Sequence, residues 1–181
     1  MADFDALLAA LKKAGAALRE ADIPYAVGGA FAAWAQGASG RDHDVDLMVK
    51  EEDADRALDV LVQKGFRAER PPEGWLYKAF DGDAMVDLIF APAGFKITDE
   101  VLARCKPADF EAMEALALPI EDVLVSKLLS LTEHSLDYEG LLELSRALRE
   151  QVDWDEVRTR TEESPFARAF FTMAEGLGLL G

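Results

Sequence analysis

Between Tyr25 and Val49 the chain carries a pattern that few folds accommodate. Tyr25-Ala-Val reads as a short strand that ends in Gly28-Gly29. The small apolar run Ala30–Gln36 reads as a helix, and Gly37–Gly40 as a turn. Asp44-Val45-Asp46 then opens a second strand, Asp44–Val49. Residues i and i+2 of a strand share a face, so Asp44 and Asp46 are expected side by side with Val45 buried behind them. Two aligned carboxylates repel unless a cation lies between them, and an all-oxygen donor set suits Mg²⁺. The alternative is a solvated strand terminus that happens to be acidic.

A third acid fits the same geometry. Ala84-Met-Val-Asp87-Leu-Ile-Phe90 is an apolar strand with one charge in its middle. Such a charge is costly unless it is paired or bound to a metal. Asp87 either joins Asp44 and Asp46 or faces water from an edge strand. Joined, the three acids would hold two Mg²⁺ ions, which brace the attacking and leaving oxygens of a phosphoryl transfer. Backbone N–H groups at Gly28 and Gly29, where the chain turns into a helix, would form an anion site for a nucleoside triphosphate. The glycines would otherwise serve only a tight turn.

Gly-Gly, a spacer, Asp-x-Asp and a later lone Asp in a strand resemble the nucleotidyltransferase superfamily of polymerase-beta type. Leu116-Ala-Leu-Pro-Ile-Glu-Asp-Val-Leu-Val-Ser-Lys127-Leu-Leu, followed by Asp137-Tyr-Glu-Gly-Leu-Leu-Glu-Leu, resembles the second half of its AbiEii/MenT-type branch. The similar regions run from about residue 20 to about residue 160. The resemblance implies NMP transfer from an NTP to an acceptor hydroxyl with release of pyrophosphate. It assigns Asp44, Asp46 and Asp87 to metal and catalysis, and Gly28, Gly29, Lys127 and Asp137 to the nucleotide, with Lys127 gripping the triphosphate. It also implies a tRNA 3′ end as acceptor and an antitoxin partner. Many members carry a Ser after the first Gly, whereas Gly29 and Ala30 offer no hydroxyl. Where the family has a basic residue shortly before the second-helix Asp, His134-Ser-Leu stands here.

The bland readings remain beside these. Lys127 can snorkel, covering the core with its stem, and Asp137 can be a plain helix N-cap. Arg41, just before the acidic pair, is a candidate nucleotide contact or a surface charge. His43 reads as a polar strand-edge residue. Trp75 and Tyr77 can stack on a base, but aromatics alternate in this way in ordinary strands.

Composition narrows the acceptor. Thirty-five acidic residues face 19 basic ones, for a net charge of −16. Six basic and 16 acidic residues follow Lys106. A chain this acidic repels nucleic acid at long range, which favours a small molecule or a protein side chain over a polynucleotide. The single cysteine, Cys105, excludes an intrachain disulfide and fits a reducing cytoplasm. The amino end has no secretory pattern, and no apolar run is long enough to span a bilayer.

The expected fold is α+β: a small, mixed, mostly antiparallel sheet with flanking helices, then a carboxyl-terminal helical bundle. Residues 1–118 would form the α/β core and 119–181 a helical region packed on it. Helices are expected over Asp3–Glu20, Glu51–Lys64, Ile97–Cys105, Glu121–Thr132, Asp137–Glu150, Trp154–Arg160 and Pro165–Leu177, each with an apolar stripe or a capping residue. Trp75–Phe80 and Met85–Phe90 read as a hairpin joined by Asp81-Gly82-Asp83, and Phe110–Leu118 as one extended segment. Two further functions are open: a non-catalytic nucleotide- or partner-binding module on the same scaffold, and a metal-dependent phosphatase or nuclease. The latter leaves the glycine turn and Lys127 without a purpose.

Overall fold

A computed structural model describes residues 2–39 and 44–180. Among them, eight helices surround one seven-stranded mixed sheet. Helix α1 (Phe4–Glu20) starts at Asp3, whose carboxylate accepts from the N–H of Ala6. Its Leu7, Leu8, Leu11, Ala14 and Leu18 recur at intervals of one helical turn and are buried. Strand β1 (Tyr25–Val27) leads directly into α2 (Gly29–Ala35). Strand β2 (Val45–Val49), α3 (Glu51–Gln63) and β3 (Arg67–Glu69) follow, then the hairpin β4 (Leu76–Asp81) and β5 (Ala84–Ile89). Helix α4 (Asp99–Arg104) precedes a second hairpin, β6 (Lys106–Asp109) and β7 (Glu114–Ala117). Four helices close the chain: α5 (Ile120–Leu129), α6 (Tyr138–Leu148), α7 (Trp154–Thr161) and α8 (Pro165–Gly176).

The strand order is β3-β4-β5-β2-β1-β7-β6. The pairs β2–β5 and β1–β7 are parallel and the others antiparallel. Helices α1 and α3 pack on the central strands. On one face of the two central strands, Val45, Leu47, Val49, Val86 and Leu88 are fully buried. Each apolar side chain so buried contributes about 1.5–3 kcal/mol. The same alternation turns Asp46 and Asp87 to the opposite face.

Two local expectations are corrected. The β4–β5 connection is Gly82-Asp83, not the three residues Asp81–Asp83, because Asp81 pairs with Ala84. Gly82 takes φ +62°, which suits the first central position of a two-residue hairpin. Phe110–Leu118 is not one extended segment, since only its Glu114–Ala117 part is strand. Glu111 and Ala112 adopt φ +50° and +69° and fold the chain back, so that β7 pairs with the preceding strand β6. Pro107 is tolerated within β6 because β6 is an edge strand. Among the described residues, no helix is long and apolar enough to cross a membrane.

Candidate active site

Four adjacent strands bring the site residues into line. In register, Lys78 of β4 lies opposite Asp87 of β5, and Asp87 lies opposite Asp46 of β2. The N–H of Gly28, at the end of β1, donates to the carbonyl of Asp46 at 2.9 Å. Asp44 stands immediately before β2. One carboxylate oxygen from each of Asp44, Asp46 and Asp87 lies within 4.8 Å of the others. Asp44 and Asp46 are half-buried, and Asp87 is only 5% exposed. Three convergent carboxylates on one sheet face form an anionic, all-oxygen donor set, which is the chemistry of Mg²⁺ rather than of a thiophilic or imidazole-bound metal.

Asp87 is engaged from the side away from Asp46. The Nζ of Lys78 donates to both of its carboxylate oxygens, at 3.0 and 2.8 Å. Burial nevertheless raises the Asp87 carboxyl above its ordinary pKa, outweighing the downward pull of the ammonium; Glu69 adds a smaller upward push. Lys78 has no counterpart in the sequence motif. The signal that finds it is the turn length: a two-residue hairpin at Gly82-Asp83 places position 78 across from position 87, whereas a three-residue loop does not.

The glycine pair is held tightly against the acids. Gly29 has φ +54°, and a Cβ at this position would lie 1.8 Å from Oδ2 of Asp46. Gly28 is the N-cap of α2 and supplies no side-chain cap. Its own N–H is committed to Asp46, so it is not a phosphate donor. The N–H groups of Gly29, Ala30 and Phe31, in the first helical turn, have no intrahelical acceptor.

Beside this turn lies a cavity of about 220 Å³, lined among others by Ala30 and Ala33 of α2, Lys127 of α5, Asp137 and Ser130. Lys127 and Asp137 therefore open onto one space, one residue along from Gly29. Asp137 is also the N-cap of α6, accepting from the N–H of Gly140 at 3.0 Å. Ser39, Ser130 and Ser135 also line this cavity, and the hydroxyl of Ser130 donates to the carbonyl of Lys127 at 2.9 Å. Arg41 and His43 lie outside the described residues. Tyr77 packs edge-on against Phe90 with ring centroids 5.3 Å apart, beneath the guanidinium of Arg70. Trp75 is 39% exposed.

Comparison with known proteins places this geometry in context. The family described as uncharacterised nucleotidyltransferase matches residues 3–177. A crystal structure of ANT(2'')-Ia in complex with adenylyl-2''-tobramycin is similar in fold, with a TM-score of 0.65 and 15% identity over 92% of this chain and 97% of that one. A solution structure of the antibiotic-resistance factor ANT(2'')-Ia gives a TM-score of 0.67 and 15% identity over 94% and 96%. No curated protein matches the sequence.

Proposed function

The chain belongs to the nucleotidyltransferase family that spans residues 3–177, and we propose that it moves an NMP from an NTP to a hydroxyl of a small cationic acceptor. Asp44, Asp46 and Asp87 would hold Mg²⁺. Bound there, the ion would neutralise phosphate charge and polarise the reacting oxygens. The first-turn N–H groups beside Gly28-Gly29 would receive the triphosphate, and Lys127 would grip it from α5, with Asp137 beside it. Arg41, ahead of the acidic pair, is a further candidate contact for the nucleotide. Asp87 would take the proton of the acceptor hydroxyl as that oxygen bonds to the α-phosphorus and pyrophosphate leaves. Catalysis of this kind is positioning and charge neutralisation, supplied by groups fixed before the substrate arrives.

The observation that carries the reading is the convergence of three carboxylates on one sheet face beside a diglycine turn and a lysine-lined cavity. The cationic acceptor rests on charge. A net charge of −16 attracts cations and repels polyanions. The fold is shared with a protein whose structure holds an adenylylated tobramycin, and an aminoglycoside is a small polycation of this sort.

A second reading, the AbiEii/MenT-type toxin branch with a tRNA 3′ end as acceptor and an antitoxin partner, is favoured by one observation. Lys127 on one helix and Asp137 opening the next line one cavity, and the resembling branch carries a Lys and an Asp in those places. An assay with α-labelled NTPs and Mg²⁺ separates the two. Label on an aminoglycoside supports the first, and label on total tRNA supports the second. Nucleotide binding with no pyrophosphate release from any acceptor would leave a non-catalytic nucleotide-binding module.

A further inference from the structure

We infer that Lys78 is a positioning residue for the transfer: it holds the Asp87 side chain in one rotamer, and so presets the group that takes the acceptor's proton. The inference deepens the proposed function and rests on Asp87 serving there as proton acceptor.

An aspartate does not aim its own carboxylate, since staggered wells compete at its first side-chain torsion. At Asp87 the choice is made by the neighbouring strand. Nζ of Lys78 donates to both carboxylate oxygens, at 3.0 and 2.8 Å. A donor shared almost equally by the two oxygens lies near the axis of the side chain, and so fixes where the carboxylate points. It occupies the inner lone pairs and leaves an outer one on each oxygen. Asp87 is 5% exposed, and a carboxylate so buried is held by its hydrogen-bond donors. Without the ammonium, turning to another well in search of a donor is favoured.

Lys78 is itself fixed. Its side chain is 24% exposed, and its Nζ also lies 3.5 Å from Sδ of Met85. Met85 and Asp87 are two residues apart on β5 and share a face, so the ammonium is seated across both. These contacts stay on β4 and β5. In the strand order β4-β5-β2-β1, Lys78 and the glycine turn lie on opposite sides of Asp87. The proposed triphosphate contacts, in the first turn of α2 and at Lys127, are therefore beyond its reach. Lys78 acts on the step in which the acceptor O–H breaks, its proton passing to Asp87, while its oxygen bonds to the α-phosphorus and pyrophosphate leaves. It leaves the grip on the nucleotide alone.

Two measurements test this. In metal-free protein, the Hα–Hβ couplings of Asp87 report its rotamer. A single rotamer is expected in wild type and in Lys78→Arg, whose guanidinium still donates to both oxygens, and averaged couplings in Lys78→Met. In pyrophosphate-release assays with tobramycin or total tRNA as acceptor, Lys78→Met should lower kcat roughly 10- to 100-fold. KM for NTP should stay within about twofold of wild type, and Lys78→Arg should recover most of the lost kcat. Averaged Asp87 couplings in wild type overturn the inference whether or not the variants fold. A single rotamer or an unchanged kcat in a folded Lys78→Met protein overturns it as well. If wild type releases no pyrophosphate with either acceptor, the transfer reading fails and takes the inference with it. That result is distinct from the failure of the inference alone, in which wild type turns over.

Discussion

Oδ2 of Asp46 fills the space into which a side chain at Gly29 would project: a Cβ there would lie 1.8 Å from that oxygen. The glycine is thus required twice, by its φ of +54° and by the acid packed against it. Turn and carboxylate are one structural unit, and disturbing either moves both.

The two glycines are therefore expected to differ in tolerance. Gly29→Ala must adopt a left-handed backbone at a cost of about 1–2 kcal/mol and must also displace Asp46. Activity should fall at least tenfold with a measurable loss of stability. At Gly28 a Cβ would meet Cε of Met48, the flexible end of a side chain. Gly28→Ala should be milder on both counts. Denaturant unfolding and turnover on the two variants check this, and an equal loss in both would contradict it.

Lys127 lies half-buried at the cavity wall, with Asp137 across the same space. If it grips the triphosphate, Lys127→Met should remove a charge-assisted hydrogen bond of about 1.5–3 kcal/mol. The KM for NTP should rise roughly 10- to 100-fold, with little change in thermal stability. A loss of stability with unchanged KM would instead mark it as a residue whose stem merely covers the core.

In metal-free protein, Asp87 should titrate above the ordinary carboxylate value of about 3.9, because burial outweighs Lys78. Removing the ammonium in Lys78→Met should raise the midpoint further. The sign for stability follows: a carboxyl whose pKa is raised by folding favours the folded state at low pH. That contribution is lost as pH rises through the folded-state value. Carboxyl ¹³C resonances recorded in chelator give the midpoint. A value at or below the ordinary one would contradict the balance described.

Away from the site, Asp122 of α5 is 1% exposed and takes a bidentate guanidinium from Arg104 and a further bond from Arg160 at 2.6 Å. It ties α4 and α7 to α5. Asp122→Ala should cost about 2–4 kcal/mol, towards the lower end because both arginines can turn to solvent. Unfolding midpoints test this, and a loss below about 0.5 kcal/mol would show that the triad contributes nothing net.

The legible parts of the chain were those set by short-range chemistry. Helix stripes such as Leu7, Leu11 and Leu18, caps such as Asp3, and the alternation around Asp46 follow from a few neighbouring residues. The likelihood that Asp87 approaches the Asp44/Asp46 pair was readable because a charge amid Val86, Leu88 and Ile89 needs a partner. Lys78 was not readable, because its position opposite Asp87 depends on whether the turn has two residues or three. The parallel pairing of β1 with β7 joins Val27 to Ala117, ninety residues apart, and no local pattern encodes it. The fold-back at Glu111-Ala112 was hidden because neither residue is a usual left-handed one.

The central claim is that Asp44, Asp46 and Asp87 together support Mg²⁺-dependent transfer of an NMP. It is tested most directly by pyrophosphate release from NTP, with aminoglycoside and total-tRNA acceptors present, in wild type and in Asp44→Asn. The account predicts Mg²⁺-dependent release in wild type and its loss in the variant, at an unchanged unfolding midpoint or a slightly higher one. Undiminished, Mg²⁺-dependent release by Asp44→Asn would contradict it.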